Sequence, residues 1–247
     1  MSARRVLLPL PARDFDPTEA AVPWRALRAA GHEVVFATAD GAPGACDPLL
    51  ITGVVFGQLG ADADARDAYG RMTEDASFRA PRRWQELAPR EFDALLLPGG
   101  HAAGMRPWLE DASLQQWIAQ FAALERPLAA ICHGVLLLAR ARDAAGRSVL
   151  HARRTTCLPK YMEALAFALT AWKLGRYYRT YPAYVEDEVR AAVAAPEQFR
   201  RGPLTLGTKG TASDDRAAFV CEDGAYLSAR WPGDAHLLGR RLVAQLA

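Results

Sequence analysis

Three features of the chain predict an α/β fold with a parallel sheet covered by helices on both faces. Short apolar runs of strand length alternate with stretches of helical spacing from the N-terminal end onward. Two of the runs end in abrupt glycine-containing turns, LLLPGG at 95–100 and AAICHG at 129–134. The last thirty or so residues then change to a hairpin signal followed by an amphipathic helix.

Taken in order, Arg5 to Leu8 form a first strand, and the loop PARDFDPTEAAVP leads into a helix reaching Ala30. Gly31 supplies the C-terminal cap of that helix. His32 to Ala37 form a second strand. Leu49 to Phe56 read as a strand or a buried loop, and the Ala-, Asp- and Arg-rich stretch from Gln58 to Leu87 as short helices over the sheet. In that stretch Phe56, Tyr69, Met72, Phe78 and Trp84 are candidates for core packing or for the mouth of a site. Ala94 to Leu97 form a strand stopped by Pro98-Gly99-Gly100. From Ser113 to Leu124, apolar residues recur at helical spacing (Leu114, Trp117, Ile118, Phe121, Leu124), with Ser113 placed to cap the helix. Leu128 to Ile131 form the next strand and Val135 to Ala141 a buried helix.

Ser148 to Leu150 and Thr155 to Cys157 read as two short strands. Lys160 to Lys173 and Val185 to Ala194 read as helices, the first stopped by Gly175. Between them Tyr177, Tyr178, Tyr181 and Tyr184 cluster in a basic loop, available for substrate, for a second subunit or for packing. Ala217 to Cys221 and Tyr226 to Ala229 make a hairpin about Glu222-Asp223-Gly224. The closing helix carries Leu237, Leu238, Leu242, Val243 and Leu246 on one side, with Asp234 and His236 at its entry.

The bulk numbers narrow the function. A chain of 247 residues with 51% hydrophobic and 23% charged residues can bury a large core, and it reads as one domain over 1–247. Thirty basic residues against 28 acidic ones leave a charge of +2, and the arginine pairs are scattered, so no nucleic-acid partner is expected. No apolar run reaches the roughly 20 residues of a membrane helix, so no membrane partner is expected either. Pro9 and Pro11 interrupt the N-terminal apolar run, which reads as a strand and not as a signal peptide; the expected location is cytoplasmic. Cys46, Cys132, Cys157 and Cys221 show no CxxC spacing, so neither a zinc knuckle nor a dithiol motif is suggested, and no metal or cofactor is expected.

Cys132 stands apart from the other three cysteines because it follows a buried strand at the turn into a helix. Such a turn projects a side chain out of the sheet and places backbone N–H groups beside it. A helix N-terminus at that point would depress the thiol's pKa. A buried cysteine acting as a small hydrophobe is the plainer alternative. Gly134 suits a turn in which a side chain would collide with the neighbouring strand. Glu19 follows Pro17-Thr18, beyond the C-terminal end of strand one, where open α/β sheets place their ligands; an acid favoured by the first helical turn is its simpler role.

LLLPGGHAAG followed about thirty residues later by AAICHG resembles the DJ-1/PfpI superfamily, whose fold is that of the class I glutamine amidotransferases. The N-terminal stretch and SARWPGDAH near the end fit as well. The resemblance implies a flavodoxin-like parallel-sheet sandwich with a nucleophile elbow and two helical insertions, near 42–91 and 160–205. It implies that Cys132 is the nucleophile, that His133 folds back as its base, and that Glu19 is the acid approaching the sulfur. Gly99 and Gly100 let the backbone approach, with Gly100 N–H and His133 N–H as oxyanion donors and His101 lining the pocket. The group orienting His133 is supplied in some members about thirty residues downstream, where Glu163 stands, and in others by a second subunit. DJ-1-like members use a histidine in a TTH segment, which is Cys157 in TTC here. The glutaminase signature C-x-G-x-Q is absent from CHGVL, and the chain has no HPE element.

A metal-independent cysteine enzyme is therefore expected, one that acts on a small-molecule or peptide substrate and not as a glutaminase. Two reactions fit, a glyoxalase III-like hydration of methylglyoxal or hydrolysis of an amide or peptide bond. A non-enzymatic stress chaperone or thiol redox sensor is the competing class, and a homodimer is the assembly the resemblance implies.

Overall fold

The computed structural model describes residues 2–54, 57, 59–205 and 207–247. Its strands are β1 (Arg5–Pro9), β2 (Glu33–Thr38), β3 (Arg82–Arg83), β4 (Ala94–Leu97), β5 (Leu128–Ile131), β6 (Val220–Asp223) and β7 (Tyr226–Ala229). They form one sheet in the order β3-β2-β1-β4-β5-β7-β6. Every pairing is parallel except that of β6 with β7. This is the flavodoxin-like α/β architecture that the sequence leads one to expect.

The larger helices are α1 (Pro17–Ala29), α3 (Ala63–Glu74), α6 (Ala112–Ala122), α8 (Lys160–Leu174), α9 (Val185–Ala192) and α10 (Ala235–Gln245). Shorter ones are α2 (Pro48–Thr52), α4 (Ala76–Arg79), α5 (Arg106–Leu109) and α7 (Val135–Arg140). β4 and β5 are buried at every residue, which requires cover on both faces of the sheet. Helices α1, α3 and α10 pack together as one group, and α6, α7 and α9 as another.

Three local expectations are corrected. Leu49 to Val54, read as a strand or a buried loop, is not a strand: α2 occupies Pro48–Thr52, because Asp47 accepts from Leu49 N–H at 2.9 Å and Pro48 suits a first helical position. Val55 and Phe56 lie outside the described residues. The cap of α6 is Asp111, not Ser113, since the Asp111 carboxylate accepts from Leu114 N–H at 2.8 Å. Ser148 to Leu150 and Thr155 to Cys157 make only isolated bridges, Arg142 with Ser148 and Thr155 with Phe199. The strand that follows β5 in the sheet is instead β7, from the C-terminal hairpin.

Candidate active site

The loops leaving β1, β4 and β5 meet at the C-terminal edge of the sheet. β1 has β2 on one side and β4 on the other, so the chain order reverses there and opens the crevice in which such folds bind ligands. The loops are stitched together: Asp16 N–H donates to the Gly99 carbonyl at 2.8 Å, and Gly99 N–H donates to Glu19 Oε2 at 2.9 Å. Asp16 caps α1, accepting from Thr18 N–H at 2.8 Å and Glu19 N–H at 3.2 Å, and so sets where Glu19 enters the site.

Cys132 follows β5 with φ of +57°, a left-handed conformation that costs a non-glycine residue about 1–3 kcal/mol. Its surroundings impose the bend. A side chain at Gly134 would collide with the carbonyl oxygens of Leu97 and Pro98 at the end of β4. A Cβ on Gly99 would lie 2.7 Å from Glu19 Oε2, 2.7 Å from His133 N and 2.8 Å from Cys132 Cβ, so glycine there lets the acid and the nucleophile share one spot. Cys132, His133 and Glu19 are all buried.

A chain of hydrogen bonds fixes the state of the imidazole. The Thr180 hydroxyl donates to the His101 carbonyl oxygen. Its single proton is thereby committed, so at 3.1 Å from His133 Nε2 it can only accept. Nε2 therefore carries the ring proton, and Nδ1 turns a lone pair toward Cys132 Sγ at 3.4 Å. This is the tautomer a base for the thiol requires. Thr180 is itself held through its carbonyl, which accepts from Arg106 Nε at 2.5 Å.

The electrostatics reverse one expectation. The Cys132 thiol is pushed well above its ordinary range, first by burial and then by Glu19 and Asp16, although His133 N–H favours the thiolate. The helix after the elbow, α7, has only six residues, and its dipole is too short to outweigh burial and two acids. Burial likewise pushes Glu19 up and His133 down, directions that favour a thiol, a carboxylic acid and a neutral imidazole in the resting site. Glu19 Oε1 has no hydrogen-bond partner among the described residues, as suits a protonated carboxyl with one oxygen free to act. His101 is lowered to about 4 by burial, and its Nε2 also lacks a partner.

The structure thus brings together Cys132, His133, Glu19, Gly99, Gly100 and His101. Gly100 N–H makes no backbone hydrogen bond among the described residues, and Gly100 lines the cavity over Cys132. The His101 and His133 rings meet edge to face, with centroids 5.0 Å apart. The donor atoms of His101, Cys132 and His133 lie within 4.8 Å of one another, a nitrogen and sulfur set of the kind soft cations favour. Glu163 is not joined to His133. It pairs with Arg179 at 2.6 Å and accepts from Val185 N–H at 3.0 Å, anchoring the loop that carries Thr180. Cys157 is buried, and its thiol donates to the Leu158 carbonyl at 3.6 Å, outside the His101–Cys132–His133 group.

Thr180 is the member that sequence reasoning missed. It lies 47 residues beyond His133, in the segment YRTYP, which carries no motif. The tyrosines around it are tied into the fold, and Tyr178 also lines the cavity over Cys132 beside the His101 ring, 5.9 Å between centroids. Tyr177 and Tyr178 donate to Asp47 at 3.1 and 2.8 Å, Tyr181 accepts from Arg140 at 2.9 Å, and Arg179 stacks on Tyr184 at 3.8 Å.

The model of the family described as ThiJ/PfpI family-like matches residues 10–203. The chain belongs to the ThiJ/PfpI family, within the DJ-1/PfpI group. A deglycase of Pyrococcus abyssi is 30% identical over 98% of this chain and 99% of its own length. An uncharacterised protein of Schizosaccharomyces pombe is 26% identical over 96% of this chain and 82% of its own length. Among solved structures, glyoxalase III from Candida albicans superposes with a TM-score of 0.70 at 17% identity, covering 98% of this chain and 97% of that one, which shows the shared ThiJ/PfpI fold. No helix among the described residues is long and apolar enough to cross a membrane.

Proposed function

We propose that this ThiJ/PfpI protein is a cysteine-dependent enzyme that converts a 2-oxoaldehyde and water into a 2-hydroxy acid. The observation that carries this reading is the His133 Nδ1 lone pair 3.4 Å from Cys132 Sγ, with Nε2 committed to Thr180. On attack, the thiol proton passes to Nδ1, the S–C bond forms at the aldehyde carbon, and the carbonyl π pair moves onto oxygen. Gly100 N–H and His133 N–H hold that oxygen until it takes a proton from the imidazolium. The proton on the former aldehyde carbon passes to one Glu19 oxygen as the other gives its proton to the adjacent carbonyl oxygen, forming an enediol. The carboxyl then returns a proton to the adjacent carbon and takes back the one on the hydroxyl of the sulfur-bound carbon. The adjacent carbonyl becomes a hydroxyl while the sulfur-bound carbon becomes a thioester, an internal redox step that needs no outside oxidant. Water cleaves the thioester, releases the 2-hydroxy acid and restores the thiol.

A neutral resting thiol suits this sequence, because a sulfur that ionises only as it attacks is spared side reactions with oxidants. The Pyrococcus abyssi relative, named a deglycase, adds support to an enzymatic reading. In this reading the protein works in the cytoplasm as a homodimer, which light scattering at twice the chain mass would check. The deciding assay measures D-lactate formed from methylglyoxal. Wild type should form it and Cys132→Ser should not; equal formation by both, or none by wild type, ends this reading. Release from a chromogenic amide in its place would move the assignment to a hydrolase.

A further inference from the structure

The cavity over Cys132 has a volume of about 410 Å³, within the roughly 300–1,000 Å³ typical of sites for drug-sized ligands. That is far more room than a three-carbon aldehyde fills. Beyond the reacting groups, its walls include Leu50, Leu158, Met162, Ala166 and Trp231. Lys209, a cation in the lining, has its ammonium on the Gly60 carbonyl at 3.1 Å and its charge acting on Asp16.

The rim gives a second, independent observation. Helix α8 is inverted: Glu163, Ala166 and Thr170 point inward, while Leu165 and Leu169 are 47% and 42% exposed. Leu165 and Leu169 line the cavity, and so does Leu59, at 41% exposure. Three of the five large hydrophobic side chains exposed among the described residues therefore border one opening. An exposed apolar group costs nothing special when isolated, but clustered at a pocket mouth it marks what enters.

We infer that the substrate carries an apolar group of phenyl size or larger on its 2-oxo carbon, the reacting aldehyde lying at Cys132 and the apolar group along α8. This inference rests on the carbonyl-addition reading above. It predicts that phenylglyoxal is used with a kcat/KM at least tenfold above that of methylglyoxal, a modest share of the gain from burying a ring. Leu169→Asp should reduce that ratio at least fivefold. A binding measurement keeps the two readings apart. Titration of the Cys132→Ser protein with acetophenone, which cannot react there, should show saturable binding at least tenfold tighter than acetone, weakened by Leu169→Asp. Methylglyoxal turnover with a phenylglyoxal ratio near one, together with equal weak binding of the two ketones, would overturn the apolar assignment and leave the enzyme reading standing. Tight acetophenone binding with neither aldehyde turned over would uphold the apolar pocket and sink the reaction.

Discussion

At rest the Cys132 sulfur keeps its proton, and the residues around it explain both why and how that proton leaves. Burial and the neighbouring acids hold it in place, and a neutral His133 waits 3.4 Å away to receive it. Thr180→Val should leave the His133 Nε2–H without an acceptor, at a cost of about 1–3 kcal/mol, and so slow turnover by about tenfold to a hundredfold. Thr180→Ser should restore it, and the pH profile of turnover should shift in the valine variant alone if the residue sets the tautomer. Glu19→Gln separates two roles of the acid. Removing the carboxylate that would form beside the sulfur as pH rises should lower the pH midpoint of Cys132 alkylation by iodoacetamide, which in wild type should lie above the ~8.5 of free cysteine. The same variant should lose about a hundredfold or more in turnover if the carboxyl relays a proton. A midpoint unchanged by Glu19→Gln would show that the acid does not act on the sulfur. Cys132 and the two glycines were legible in the sequence because each follows the end of a strand, whereas the places of His133 and Glu19 beside the sulfur were implied by the family resemblance of the motifs. Thr180 was not, because a lone threonine in a loop has no pattern until folding sets it against the imidazole.

At the level of the element, α1 shows how a cap can reach into a site. Asp16 holds the first turn and is raised to about 6, mainly by burial, from an ordinary value of 3.8. A carboxyl raised on folding contributes stability that is full below the unfolded value and lost as pH rises through the folded one. Its contribution should therefore decline between about pH 4 and pH 6, by about 3 kcal/mol at most for a shift of about two units. Asp16→Asn keeps a capping oxygen and removes the titration, so the difference between the two proteins' denaturation midpoints should change over that range and level off above it. A constant difference from pH 4 to 8 would show that Asp16 does not retain its proton in the fold. The elements that sequence reading misplaced differ in cause. Asp111 caps α6 in place of Ser113, Asp47 starts a helix where a strand or buried loop was expected, and the segments 148–150 and 155–157 had strand-like composition but form only isolated bridges.

Across the whole molecule, the C-terminal hairpin and α10 are tied to the rest by an ion pair with no exposure on either side chain, Arg230 with Asp234 at 2.8 Å. Arg230 also donates to the Pro203 carbonyl at 2.7 Å, and Asp234 accepts from Phe219 N–H at 2.8 Å, so the pair joins β7, α10 and the segment preceding β6. Asp234→Ala would strand a buried guanidinium and should cost about 3–5 kcal/mol in urea denaturation. A loss below about 1 kcal/mol would mean that water reaches Arg230 once its partner is gone. Trp231, beside this pair in sequence, lines the cavity, so the same closure that secures the C-terminal end also shapes the substrate's surroundings.

The amino-acid order alone determined the alternation of strands and helices and the turn at Cys132, and the family resemblance of its motifs implied that Glu19 comes up to the sulfur. The alternation and the turn follow from periodicity and from glycines where two chains must nearly touch, and both are local properties of the chain. Only the folded molecule decided the ionisation of the sulfur, the tautomer of His133 and the apolar walls around them. Each of these depends on burial and on partners from distant segments, and neither quantity exists until the chain has closed on itself.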